Sequence, residues 1–320
     1  MTLLLGRDDV VRLIRPADLV APMARAFVDY THETGPRALR LASPLPGAHG
    51  TATVLFPGTA VGIPVYSVKV HSKFPNAQPP IRGILCLFDV NSGDLLAVMD
   101  STLVTAVRTG IAGAMAADIL ARPDARAVTL VGAGTQGEWL LRALALIRPI
   151  ERVRAYDLDD GRARVFATRL QADLNLPIEA CDSLTAALAG AAIVLTATWA
   201  RSPFLTRALV APGSHISTMG PDEPGKFEVA GELLRDAVVI CDDRTLAVSM
   251  GVAQGVGLGT DVIDGELGEV LAHVHPGRSS DDQVTVFGGV GLAFQDAVAA
   301  WQVYLAAREN GQGHEIDLLA

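Results

Sequence analysis

Apolar and polar positions change rhythm near residue 120. Before it, short apolar runs are separated by turn residues: ATVLFPG (52–58), VYSVKV (65–70), GILCLFDV (83–90) and DLLAVMD (94–100), with NSGD (91–94) between the last two. Runs of this length predict strands of an antiparallel or mixed sheet. Residues 102–120 are rich in alanine and predict a helix, ended by Pro123. From Ala127 onward strand-like and helix-like stretches alternate. AVTLVGAG (127–134) is a buried-strand run, and QGEWLLRALALI (136–147) spaces Trp139, Leu140, Ala143 and Leu144 as a helix face. A strand at ERVRAYD (151–157), a helix at 160–174, a short strand at PIEACD (177–182) and a helix at LTAALAG (184–190) follow. AAIVLTAT (191–198), GSHISTMG (213–220) and DAVVICDD (236–243) continue the strands, with a helix at VAGELLRD (229–236). This alternation predicts an α/β fold with a Rossmann-type, doubly wound parallel sheet. The tail at 290–310 predicts a long amphipathic helix ending at Gly311.

Residues 183–200 carry no charge and approach the length of a membrane span. Their serine, threonine and glycine content, and the break at Ala189-Gly190, predict a helix followed by a strand instead. The net charge of −9, from 26 basic and 35 acidic residues, disfavours nucleic acid and anionic membranes as partners. Cys86, Cys181 and Cys241 lie far apart in or beside apolar runs, without the paired spacing of a metal site. They read as core thiols of a cytoplasmic protein, and the N-terminus lacks the pattern of a signal peptide.

The stretch LVGAGTQG (130–137) places G-x-G-x-x-G between a strand and a helix, the setting a dinucleotide site requires. Gly132 permits the tight turn, Gly134 the approach of a pyrophosphate, and Gly137 close helix–sheet packing. Thr135 and Gln136 begin the helix whose free N–H groups face the phosphates. Asp157 ends the next strand, 25 residues after Gly132, where a carboxylate binds ribose hydroxyls. Leu158, Asp159 and Asp160 follow it, and this acidic neighbourhood favours NAD over NADP. A second glycine group, VFGGVG (286–291), has no acidic residue at ribose distance and reads as a tight helix entry, with a pocket wall as the alternative.

Arg40 in RLAS, Lys69 in VYSVKVHSKFPN and Arg108 in TAVRTG stand on apolar elements, where an unpaired charge is costly. Each is open to neutralisation by a salt-bridge partner; together the three would form a carboxylate receptor.

RLAS, LFPG, VKVHSKFPN, GILCLFDVNSGDLLAVMD, TAVRTGIAG, LVGAGTQG, PGSHISTMGPDEPGKFE, LGEVL and QVTVFGGVGLAFQD occur in an order that resembles the ornithine cyclodeaminase and mu-crystallin family over nearly the whole chain. The resemblance implies a homodimer. Each subunit would have a nicotinamide-binding domain, 121–289, and a split α+β substrate-binding and dimerisation domain, 1–120 with 290–320. It places substrate-carboxylate binding on Arg40, Lys69 and Arg108, with Arg37 a rival to Arg40, counts Lys69 among the catalytic groups, and puts acid–base catalysis on Asp222 in GPDEPGK. Lys69 to Lys73 would be a loop bordering the pocket, with His71 a wall of it. Two departures bear on substrate. Val54 replaces the glutamate that holds substrate amines in cyclodeaminases, and Gly288-Gly289 replaces a polar pair, which would enlarge the pocket. The implied activity is NAD(P)H-dependent exchange of an imine and an amine alpha to a carboxylate, as in a cyclic ketimine reductase or an alanine dehydrogenase. A cyclodeaminase that releases ammonia with NAD recycled, and a non-catalytic binding protein of the mu-crystallin type, are the alternatives.

Overall fold

The computed structural model describes residues 1–32, 39–45, 50–74, 77 and 79–318. The chain divides into two compact units, Met1–Arg108 with Leu292–Ala320, and Thr109–Gly291. The dividing line thus falls at Arg108 inside the helix Ser101–Leu120, earlier than the residue 120 expected from sequence. The cause is small residues: a Cβ on Gly110 would run into the Trp139 carbonyl, and one on Gly113 into Leu140. From Gly110 on, the helix is therefore seated in the second unit.

The first unit holds a seven-stranded mixed sheet. Its order runs His314–Ile316, Thr2–Leu5, Leu95–Asp100, Ile81–Asp89, Val65–Lys73, Thr51–Gly58, Leu39–Pro44. Every pairing is antiparallel except Thr2–Leu5 with Leu95–Asp100. Pro57, in a cis peptide after Phe56, lies within a strand where the register shifts between Leu55 and Gly58, not in a turn. The segment Lys69 to Lys73 is likewise strand rather than loop. The helices Pro16–His32 and Ala293–Asn310 pack on each other, and the latter covers the middle strands. The C-terminal helix ends at Gly311 in the left-handed conformation, as expected. Its first eight residues, however, are all buried, Gln295 and Asp296 included, so the amphipathic face expected from sequence belongs to its last turns alone.

The second unit holds eight parallel strands in the order Gly265–Glu266, Val238–Cys241, Thr285–Gly288, His215–Thr218, Ile193–Thr196, Ala127–Val131, Arg152–Tyr156, Ile178–Ala180. Chain order reverses at Ala127–Val131, so crossover helices cover both faces of the sheet. This is the Rossmann-type arrangement expected. The uncharged run 183–200 resolves into the helix Leu184–Leu188 and the strand Ile193–Thr196. Among the described residues, one helix, Ser101–Leu120, is long and apolar enough to cross a membrane, and most of it is buried within the protein. Cys181 and Cys241 are buried, whereas Cys86 is only half-buried, because even-numbered residues of its strand point away from the packed face.

Candidate active site

In the first unit, strand register places Arg40, Leu55, Lys69, Leu85 and Met99 in one row across five strands. All five are buried, and Lys69 is 0% exposed. Lys69 Nζ donates to Asp296 Oδ1 at 2.8 Å and lies 2.7 Å from its Oδ2, with Thr105 Oγ1 at 3.4 Å. Arg108 Nε donates to Asp296 Oδ1 at 3.1 Å, and its Nη1 donates to Gln295 Oε1 at 2.7 Å. The salt-bridge partner that sequence left open is thus Asp296, shared by two of the three cations. Burial, then Arg108, pushes the Lys69 ammonium down to about 7, Asp296 pulls the other way, and Arg40 adds to the depression. Burial alone would raise the Asp296 carboxyl, but Lys69 and Arg108 outweigh it and hold it below the ordinary aspartate range. Arg108 spends Nε and Nη1 on the helix, and among the described residues its Nη2 has no hydrogen-bond partner.

His71 and Lys73 follow Lys69 on the same buried face of their strand, which suits His71 as a wall. Val54 belongs to the opposite face: it pairs with Leu41 and Val70, both exposed. A carboxylate at position 54 would therefore not join the Lys69 row within this unit. Arg37 lies outside the described residues.

In the second unit, LVGAGTQG follows the strand Ala127–Val131 and opens the helix Thr135–Ile147. Gly132 has φ +99°, and a Cβ there would sit 2.5 Å from the Ala197 carbonyl oxygen. A Cβ on Gly137 would collide with the Gly132 carbonyl. Gly134 differs: its φ is −97° and no described atom lies within 4 Å of a Cβ built there. Neither backbone nor packing calls for glycine at 134, so the open space beside an uncapped helix start fits an approaching phosphate. Asp157 accepts hydrogen bonds from the N–H groups of Ala133 (2.9 Å) and Asp159 (3.0 Å), and Arg162 lies 3.5 Å from it. These residues fit a dinucleotide.

Asp222 lies in the loop between the strands His215–Thr218 and Phe227–Val229, and Lys226 Nζ donates to its Oδ1 at 2.9 Å. Lys226 also stands 4.0 Å from the centre of the Trp199 ring and 3.6 Å from Glu223 Oε1. Gly288 and Gly289 do not enlarge a pocket: a Cβ at 288 would lie 2.5 Å from Val252 Cγ1, and one at 289 equally close to Met219 Cε. The space a side chain would take is filled by those two residues. The next N–H groups, of Val290 and Gly291, donate to Asp242 at 2.8 and 2.6 Å, as suits a tight helix entry.

The sequence profile of the ornithine cyclodeaminase/mu-crystallin family matches residues 1–311. The chain belongs to this family. It is 33% identical over 255 residues to an alanine dehydrogenase of Archaeoglobus fulgidus, covering 78% of each chain. Its fold matches Thermococcus litoralis Δ1-pyrroline-2-carboxylate reductase, solved with NADH and L-proline, with a TM-score of 0.93 and 28% identity over 98% of this chain and 100% of that one. It also matches an archaeal alanine dehydrogenase dimer with bound NAD, with a TM-score of 0.92 and 28% identity over 99% of both chains. Asp296, which pairs with Lys69 and Arg108, went unremarked in the sequence because its segment reads as the start of an amphipathic helix. Its one signal was QD at 295–296, two polar residues inside an otherwise apolar stretch.

Proposed function

We propose that this protein is an NAD(H)-dependent oxidoreductase that interconverts an imine and an amine at the carbon alpha to a carboxylate. The observation that carries the reading is the burial of Arg40, Lys69 and Arg108 in one unit, with Lys69 and Arg108 gathered on Asp296. Such a cluster is built for an anion, and desolvation strengthens its hold. Arg108 would offer its Nη2, Lys69 a compact ammonium and Arg40 a further guanidinium. Fixing the carboxylate orients the neighbouring carbon, which converts binding energy into alignment. Gly132, Gly134, Thr135, Gln136 and Gly137 would take the pyrophosphate, and Asp157 the ribose. When bound, the nicotinamide supplies or accepts a hydride at that carbon. Asp222 would deliver a proton to the nitrogen on reduction and withdraw it on oxidation, with Lys226 compensating the carboxylate that remains. The acidic run from Asp157 to Asp160 favours NAD over NADP. The relatives' names, for alanine and a five-membered cyclic imino acid, support a small substrate of this class. The three free thiols suit the cytoplasm.

The test is NADH oxidation with Δ1-pyrroline-2-carboxylate and with pyruvate plus ammonia. Asp222→Asn is expected to lower kcat by about 100-fold or more, the usual worth of a positioned proton carrier, with NADH binding retained. An Asp222→Asn enzyme as fast as the wild type on every accepted imine would exclude the assigned role. The outward placement of Val54 keeps a second reading, cyclodeamination, in play; proline formed from ornithine without net NADH consumption would establish it.

A further inference from the structure

The second unit contains a buried carboxylate for which neither hydride transfer nor proton transfer has a use. Glu228 is 1% exposed and lies on the short strand Phe227–Val229. Five donors converge on it. Its Oε1 accepts from Thr198 N at 2.7 Å and from Thr198 Oγ1 at 2.7 Å. Its Oε2 accepts from Thr196 Oγ1 at 2.6 Å, Thr218 Oγ1 at 2.6 Å and Gly220 N at 3.1 Å. Thr196 and Thr218 are the last residues of two neighbouring parallel strands, at the carboxyl ends where a doubly wound sheet binds its ligand.

The two oxygens serve different loops. Thr198, held by Oε1, stands against the glycine loop: a Cβ on Gly132 would lie 3.1 Å from Thr198 Cγ2. Gly220, held by Oε2, opens the loop that carries Asp222 and Lys226, and a Cβ there would collide with Glu228 Oε1. All five contacts are donors, and all come from the carboxyl ends of these two strands and the loops that follow them, so the side chain is saturated and cannot turn without losing several bonds.

We propose that Glu228 is a positioning residue: one oxygen fixes the wall of the dinucleotide loop through Thr198, the other fixes the Asp222 loop through Thr218 and Gly220, so a single carboxylate sets the spacing of both. The inference rests on the oxidoreductase reading. It predicts that the two halves separate on mutation. Thr198→Val removes one donor on the Oε1 side, and the dissociation constant for NADH, followed by its fluorescence, is expected to rise about tenfold, the size of one hydrogen bond to a charged acceptor. Thr218→Val acts on the Oε2 side; NADH binding is expected to stay within twofold of wild type, while kcat falls about tenfold and its pH profile moves. Glu228→Gln replaces one acceptor with an NH2 group facing donors, and both effects are expected together, with KM for the imino acid little changed because the carboxylate cluster belongs to the other unit.

A purely structural staple would lower the melting temperature of all three variants without dividing nucleotide affinity from the pH profile. If Glu228→Gln does not fold, the two threonine variants carry the test by themselves. NADH affinity within twofold of wild type in Thr198→Val, or an unchanged pH profile of kcat in Thr218→Val, would overturn the proposal. A wild-type protein that binds NADH but reduces no imine sinks the oxidoreductase reading, and the Thr198→Val titration still decides the Oε1 half; a wild type that does not bind NADH sinks both.

Discussion

Lys69 meets Asp296 across 227 positions of sequence, and the pair sets the electrostatics of the first unit. With its ammonium lowered from 10.5 to about 7, chiefly by burial, the folded protein holds this proton less tightly than the unfolded chain does. The sign follows from linkage: below about pH 7 the buried charge exerts its full destabilising effect, and between about 7 and 10.5 the folded state releases a proton the unfolded chain keeps, so stability rises with pH. Melting temperatures of wild type and Lys69→Met between pH 7 and 9.5 are expected to show the wild type gaining on the variant as pH increases. A gap independent of pH would mean that Lys69 stays protonated throughout. Asp296→Asn takes away the counter-charge of two buried cations, a change that costs about 3–5 kcal/mol in comparable pairs, and should move the Lys69 window to lower pH. Chemical denaturation of Asp296→Asn alongside wild type measures that cost, and a loss under 1 kcal/mol would show the cations to be balanced by other groups.

At the scale of elements, the strands and helices from Ala127 to Cys241 were legible because each combines a buried apolar run with turn residues at its ends. The helix Asp160–Leu174 falls where the pattern puts it, with Asp159 capping its start through Arg162 N at 3.1 Å. What the pattern hides is facing: it names Val54 and Arg40 as neighbours of one family site, while cross-strand register puts them on opposite sides of a sheet. The glycine pair at 288–289 shows the same limit, since losing a side chain opens space only if nothing moves in, and Val252 and Met219 have done so. Gly288→Val is accordingly expected to overpack, costing about 1–3 kcal/mol. The double variant Gly288→Val with Val252→Ala should recover most of that loss in chemical denaturation. If the single substitution is neutral, Val252 has another place to go and the region is open after all. Asp296 escaped for the opposite reason: helical periodicity marks which face is apolar, but the buried start of Ala293–Asn310 is covered on every side, so its one charge carried no periodic signal.

At the scale of the whole molecule, the outward face of the first unit's sheet bears Leu41 at 63%, Val70 at 44% and Ile84 at 48% exposure, in one cross-strand row. Leu39 and Phe56 form the next row and are also exposed. A contiguous apolar patch on a sheet face, in a chain whose net charge of −9 otherwise favours separation, suits an association surface. Because the patch is a row of a single sheet, a second copy related by a two-fold axis can lay the same residues against it, and a related archaeal alanine dehydrogenase is a dimer. We therefore expect a homodimer through this face. Val70→Glu with Ile84→Glu would set like charges against each other across the axis, with no apolar partner for either. Sedimentation equilibrium should then report a monomer where wild type gives twice that mass, and NADH affinity, a property of the other unit, should persist. If the double variant sediments as the wild-type species, the dimer contact lies elsewhere and the exposed row needs a different occupant.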